Sequence, residues 1–162
     1  MAKARAKTSP KIPSDELIRR VIELCHERKA EDVVSLDVRE LVEYMDAMVI
    51  VTGRSGRQNR AIAANVMTQL KREHGILPLS RAGVDAGSWI CIDFVDVVLH
   101  IFDPAARSHY DLELLWSDAK IAEHAMPAAL LAELESDTEN AEDAELAAFI
   151  ADESDYEADV EK

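Results

Sequence analysis

The sequence predicts an α/β fold: a single domain with a mixed sheet flanked by helices, followed by an acidic C-terminal tail. Along residues 14–117, apolar residues recur at helical spacing in some segments and form short β-branched runs in others. Two such runs, 89–94 and 97–102, have only two residues between them, which predicts an antiparallel hairpin. A chain of 162 residues with 48% hydrophobic residues suits one domain with a substantial core.

The charge is distributed unevenly along the chain. The formal net charge is −14, but residues 121–162 hold 14 Asp and Glu and a single Lys. The rest of the chain is therefore nearly neutral, and its first dozen residues are basic, with Pro10 and Pro13 disfavouring a helix there. We expect a basic disordered tail over 1–13, a folded domain over 14–117, and an acidic, largely disordered tail with transient helix over 118–162. The acidic tail is expected to be dispensable for folding.

Composition also restricts the setting of the protein and its chemistry. Cys25 and Cys91 are too far apart in sequence for a redox or zinc pair, which favours a reduced, cytoplasmic environment. No apolar run is long enough to span a bilayer, so we expect no membrane association. The five histidines show no metal-ligand spacing, and no metal or cofactor is expected. His100, in an alternating strand, is interpreted as a hydrogen-bonded core residue.

Local patterns predict each element of the domain. In order, they are a helix at 14–28, strands at 32–38 and 48–51, a helix at 56–74, an edge strand at 77–79, strands at 89–94 and 97–102, and a short helix from Pro104. Ser55 can cap the second helix, and Gly75 suits the left-handed position just beyond its end. Pro78 confines the short run around it to the edge of the sheet.

Several segments, taken together and in order, resemble the ribosomal silencing factor family RsfS, also called the Iojap family. They are 32–38 (DVVSLDV), 46–58 (DAMVIVTGRSGRQ), 77–79 (LPL), 89–94 (WICIDF), 96–102 (DVVLHIF) and 107–116 (RSHYDLELLW). The resemblance covers about residues 15–117. It implies a fold similar to that of the nucleotidyltransferases.

The resemblance also implies a function. Members of the family bind the large ribosomal subunit through its fourteenth large-subunit protein, on the face that meets the small subunit. The bound protein blocks subunit association sterically, which represses translation when nutrients are limiting. By this resemblance, the chain is a cytoplasmic binding module and not an enzyme, and an additional peripheral contact with ribosomal RNA is an expectation.

Three residues are candidates for binding the ribosomal protein: Trp89, Asp93 and Phe94. The resemblance places the strand that carries them at the interface. A strand-borne tryptophan is often buried in a core instead, so for Trp89 a contact and a packing role remain open. Asp93 suits an interface because ribosomal proteins are usually basic and an acidic side chain can pair with their Arg or Lys.

Residues 52–55 leave an enzymatic function open. A Thr-Gly-Arg-Ser loop between a strand and a helix can bind a phosphate through its N–H groups. It lacks the Walker lysine, and a nucleotidyltransferase also needs paired carboxylates for metal ions. Asp93 and Asp96 are three residues apart and face opposite sides of a strand, which disfavours such a pair.

Two functions without catalysis also remain open. One is an RNA-binding adaptor in ribosome assembly, which would bind isolated ribosomal RNA in a salt-dependent manner. The second is a catalytically inactive, nucleotidyltransferase-like scaffold that forms a homodimer through exposed strand edges.

Overall fold

The computed structural model describes residues 12–136, which form a six-stranded mixed sheet between helices. The predictions for the first eleven residues and for the acidic tail beyond residue 136 lie outside this range. The helices are α1 (Ser14–Glu27), α2 (Gly56–His74), α3 (Pro104–Tyr110), α4 (Leu112–Leu115) and α5 (Ala128–Ser136). The strands are β1 (Glu31–Asp37), β2 (Ala47–Thr52), β3 (Ser80–Ala82), β4 (Trp89–Asp93), β5 (Val97–Phe102) and β6 (Lys120–Glu123).

The strand order is β3-β4-β5-β2-β1-β6, and within it only the central pair β2–β5 is parallel. This arrangement confirms the predicted mixed sheet. The predicted hairpin is also confirmed, since β4 and β5 are antiparallel neighbours. Its turn places Val95 at a positive φ of 76°, and the side chain of Asp93 holds the turn by accepting a bond from the Val95 N–H at 2.7 Å.

Helices α1 and α2 cover one face of the sheet and enclose the larger core. Leu17 of α1 and Ile62 of α2 have no exposed surface, and every residue of β2 is buried, as expected for a strand covered on both faces. The predicted caps of α2 are confirmed, because Ser55 accepts from the N–H of Gln58 and Gly75 adopts a φ of 64°. Both helices pack their buried side chains against the same face of the sheet.

The opposite face is covered less completely. A smaller core there contains Leu36, Ile50 and Phe102, with Leu112 of α4 packed on them. The short helices α3 and α4 and the loop before β2 provide this cover. Over β4 the cover is partial, and the residues of β4 on this side are half-buried. A region of the sheet surface is thus left accessible.

Two predicted elements differ from the observed ones. The edge strand expected at 77–79 lies at Ser80–Ala82 instead, because Pro78 has no N–H to donate and pairing with β4 begins only after it. The helix from Pro104 ends at Tyr110 and a new helical turn follows. Asp111 divides them with a φ of 43°, closing α3 and capping α4 through its side chain.

The sheet also continues past the expected domain limit at residue 117. β6 pairs antiparallel with β1, with Leu36 opposite Ile121, and α5 follows it. The sequence does not predict β6, because four residues without a β-branched run give only a weak pattern. The described structure therefore includes a strand in a segment that the charge distribution assigns to the acidic tail.

Candidate functional site

The accessible part of the sheet is formed by β4 and β5. Side chains alternate along both strands, so one set joins the core under α1 and α2 and the other points away from it. We call the second set the open face: Trp89, Cys91, Asp93, Val98, His100 and Phe102. Trp89 lies opposite Phe102 at one end, and Asp93 lies opposite Val98 at the other.

Trp89 is the anchor of an aromatic cluster on the open face. Its ring centroid lies 4.9 Å from that of Phe102 and 4.5 Å from that of Tyr110. Its indole N–H donates a hydrogen bond to Nδ1 of His100 at 3.1 Å. The indole is nonetheless half-buried, so part of the ring surface remains accessible. Trp89 therefore packs within the fold and also keeps accessible surface, so the packing role and the contact role are compatible.

His100 is a hydrogen-bonded histidine with only 8% of its surface exposed, as the sequence indicates. Burial lowers the pKa of His100 to about 4, so the imidazole is neutral at pH 7. Acceptance of the indole N–H by Nδ1 corresponds to the neutral tautomer that carries its proton on Nε2. The hydrogen bond between His100 and Trp89 is not predicted from the sequence, although their positions on adjacent strands of a hairpin could have indicated it.

Asp93 places a carboxylate on the same face as Trp89. Its backbone C=O accepts from Leu79, and one side-chain oxygen accepts from Val95 in the turn. The second carboxylate oxygen leaves Asp93 with capacity to accept further hydrogen bonds. With four strand residues at about 3.3 Å each, Asp93 lies about 13 Å along the sheet from Trp89. The two side chains are held apart on one rigid surface.

Phe94 does not belong to this surface. Its side chain is 1% exposed and packs in the core beneath α1 and α2. The grouping of Phe94 with Trp89 and Asp93 is therefore corrected: neighbours on a strand face opposite sides, and Phe94 follows Asp93 directly. In this fold Phe94 supports β4 from behind and has almost no surface to offer a partner.

Exposed apolar side chains are present on α3 and α4. Tyr110 is 51% exposed, and the two leucines of α4, Leu114 and Leu115, are 71% and 74% exposed. A helix of four residues cannot bury a continuous apolar run, and only Leu112 of α4 reaches the core. The sequence places these residues on a helix without indicating that they are accessible.

The loop between β2 and α2 has a structural role. A Cβ on Gly53 would lie 1.9 Å from Oδ1 of Asn59, and the Asn59 amide donates to the carbonyl of Gly87 at 2.7 Å. The N–H of Gly53 donates to the carbonyl of Phe102, and the N–H of Arg54 donates to the side chain of Gln58. Two N–H groups that could bind a phosphate are thus used within the protein.

A cleft of about 1080 Å³ lies beside β1 and β6, two strands away from β5. Its arginines are engaged by neighbouring acids, Arg54 with Glu31 and Arg107 with Glu113, each at 2.5 Å. Arg107 also donates to Thr52 Oγ1 at 2.9 Å and so ties α3 to the end of β2. The charged groups of the cleft serve to connect elements of the fold.

Metal-binding clusters and membrane spans are absent from the part of the chain that the structure describes. Residues 12–136 contain no group of three His, Cys, Asp or Glu side chains placed to hold a metal ion. In the same range, no helix has the length and apolar character required to cross a membrane. Burial raises the pKa of both cysteine thiols, Cys25 and Cys91.

Comparison with known proteins identifies the family. The family model described as ribosomal silencing factor during starvation matches residues 11–155. A ribosomal silencing factor of Chromobacterium violaceum is 36% identical over 105 residues, which cover 65% of this chain and 85% of the relative. The mouse mitochondrial assembly of ribosomal large subunit protein 1 is 30% identical over 129 residues, covering 73% of this chain and 56% of the relative.

Solved structures agree with this assignment. A crystal structure of a Chromobacterium violaceum protein superposes with a TM-score of 0.63 at 32% sequence identity, covering 72% of this chain and 97% of the other. A Bacillus halodurans protein gives a TM-score of 0.59 at the same identity, with coverage of 68% and 99%. The chain belongs to the ribosomal silencing factor family.

Proposed function

We propose that this chain binds the large ribosomal subunit through its fourteenth large-subunit protein and blocks association with the small subunit. Translation is thereby repressed under nutrient limitation. The observation that carries the proposal is the open face, which presents the half-buried Trp89 and the acidic side chain of Asp93 on one surface. Membership of the ribosomal silencing factor family supports it, as does a mouse relative named for assembly of the mitochondrial large subunit.

The open face has the chemistry of a protein interface. Partly buried aromatic residues are frequent energetic anchors, and Trp89 with Tyr110 supplies two of them. The exposed leucines of α4, a helix that packs through Leu112 on the same side of the sheet, supply further apolar surface. Asp93 offers a negative charge to a basic partner, which favours correct orientation and faster association. A typical interface covers about 800 Å² on each partner, more than six side chains provide, so we infer that the α4 leucines take part.

The proposed action is steric, so the chain acts as a binding module and supplies no reaction step. A domain bound to the joining face of the large subunit excludes the small subunit from the same space. The effect depends on occupancy: it requires a dissociation constant below the concentration of the protein. Repression should therefore rise with protein concentration and saturate with binding.

Co-sedimentation with separated ribosomal subunits tests the proposal. We expect the protein to pellet with the large subunit alone and to reduce the yield of joined ribosomes in proportion to its occupancy. Asp93→Arg should weaken binding about tenfold through charge repulsion. Because it also removes the bond from the Val95 N–H, its binding is measured at a temperature at which thermal unfolding shows that the variant is folded. Glu23→Arg makes the same change of charge on α1, on the other side of the sheet, and should bind normally. Normal binding by Asp93→Arg would remove Asp93 from the interface.

Two competing functions give different results in the same assay. An RNA-binding adaptor would bind isolated ribosomal RNA with an affinity that falls steeply with salt. A homodimeric scaffold would associate in the absence of ribosomes and pellet with neither subunit. Failure to pellet with either subunit would refute the proposed function.

A further inference from the structure

We propose that His100 is a positioning residue for Trp89: by accepting the indole N–H, it holds the ring on the open face in the orientation that meets the partner. The expected effect of this contact on partner binding rests on the proposed function. The contact itself is a property of the fold and can be measured without a ribosome.

The geometry around Trp89 supports a positioning role. The indole packs against Phe102 and Tyr110, which limit its tilt, but such ring contacts allow a flat side chain to slide or rotate. The 3.1 Å hydrogen bond to His100 adds a directional constraint that ring packing lacks. The orientation of a tryptophan side chain depends on two torsion angles. Packing against the neighbouring rings and the hydrogen bond from the indole N–H together restrict both angles.

The environment of His100 suits a permanent acceptor. It lies on β5 between Ile50 of β2 and Cys91 of β4 in register, and Phe102 stacks nearby. The thiol of Cys91 is kept protonated by a pKa that burial raises, and Asp93 is the next residue along the open face. The ring stays neutral throughout the physiological range, so Nδ1 can serve as the lone-pair acceptor that its contact with the indole N–H requires.

The hydrogen bond also restricts how a partner can recognise Trp89. The indole N–H is the only donor of a tryptophan side chain, and here it is used within the protein. A partner must therefore contact ring atoms. Apolar side chains, or a guanidinium stacked on the ring, fit that surface, whereas a carbonyl or carboxylate acceptor does not.

Substitutions of His100 separate positioning from packing. His100→Leu keeps an apolar side chain of similar size but removes the acceptor. His100→Asn keeps an acceptor oxygen near the position of Nδ1 and is the matched control. Trp89→Phe keeps an aromatic ring without the N–H. Each variant is first checked for a cooperative thermal unfolding transition, so that binding is compared only between folded proteins.

The first readout is the rate at which the Trp89 indole proton exchanges with solvent, measured by nuclear magnetic resonance on the full chain. Trp89→Phe assigns the resonance, because the chain has two tryptophans. Exchange should be slow in the wild type and in His100→Asn and about tenfold faster in His100→Leu, as expected for loss of one buried hydrogen bond. Equal exchange in the wild type and His100→Leu would overturn the positioning role.

The second readout is large-subunit binding in a double-mutant cycle. His100→Leu should weaken binding about tenfold, His100→Asn should restore it, and His100→Leu should have no further effect when Trp89 is already Phe. Wild-type binding by His100→Leu, or equal loss in His100→Asn, would overturn the inference. If the wild-type protein binds no subunit, the proposed function fails, and the exchange measurement still decides whether His100 holds Trp89.

Discussion

Replacing Gly53 by alanine should destabilise the domain strongly, because Asn59 occupies the space that a Cβ would need. That Cβ would lie 1.9 Å from Oδ1 of Asn59, well inside van der Waals contact. Asn59 has no exposed surface, and its amide donates to the carbonyl of Gly87. Relief of the clash by rotation of Asn59 breaks this bond.

The magnitude follows from these two effects. Leaving a buried polar group without its partner costs about 1–3 kcal/mol, and overpacking adds about 1–3 kcal/mol. We expect the free energy of unfolding to fall by about 3 kcal/mol, which lowers Tm by about 6–12 °C for a chain of this size. Thermal unfolding followed by circular dichroism measures both the midpoint and the cooperativity.

Gly56→Ala is a matched control in the same loop. Its Cβ would meet Nη1 of Arg60 at 3.4 Å and the carbonyl of Ala86 at 3.6 Å, both ordinary contacts. We expect little change there, since alanine also favours the helix that begins at this position. In an Asn59→Ala background, Gly53→Ala should cost much less. Equal losses for the two glycines, or additive losses for Gly53 and Asn59, would refute the steric reasoning.

Three further predictions concern the stability of the domain. A chain ending after residue 136 should keep the Tm of the full chain, whereas a chain ending after residue 119 lacks β6 and should have a lower Tm. Circular dichroism measures both values. Equal Tm values for the two truncated chains would exclude β6 from the cooperative unit. The pKa of His100 lies near 4 in the fold, below its ordinary 6.5, so unfolding takes up a proton and stability should fall as pH drops from 6.5 to 4. Urea titrations should show a smaller fall for His100→Asn, and an identical fall would contradict this account. Arg107→Met removes the contacts to Thr52 and Glu113 and should lower the urea unfolding free energy by about 1–3 kcal/mol; no change would indicate that these bonds are not stabilising.

Sequence reasoning predicts the elements that have strong local signals. The cap of α2 at Ser55, its end at Gly75 and the β4–β5 hairpin are confirmed because each depends on residues close in sequence. β6 is missed because its pairing with β1 depends on a distant partner and not on its own composition. The break between α3 and α4 at Asp111 is not predicted, because a positive φ is uncommon for a residue other than glycine.

The candidate site is predictable to a similar extent. The placement of Trp89 and Asp93 on one surface follows from alternation along a strand, and the same rule shows why Phe94 is in the core. The bond between Trp89 and His100 requires the register of the hairpin, which two intervening residues suggest but do not determine. Exposure of the α4 leucines depends on how far the helix extends over the sheet, which no local pattern encodes.

The pairing of β6 with β1 has a consequence for synthesis of the chain. β1 leaves the ribosomal exit tunnel well before β6, the strand that completes its outer edge, which is translated more than 80 residues later. The central β2–β5 pair is likewise non-local, which raises the contact order and slows folding relative to a helical protein of equal length. The nascent chain therefore cannot close its sheet until residue 123 is free. The sheet of this architecture is therefore completed only after β6 has been synthesised.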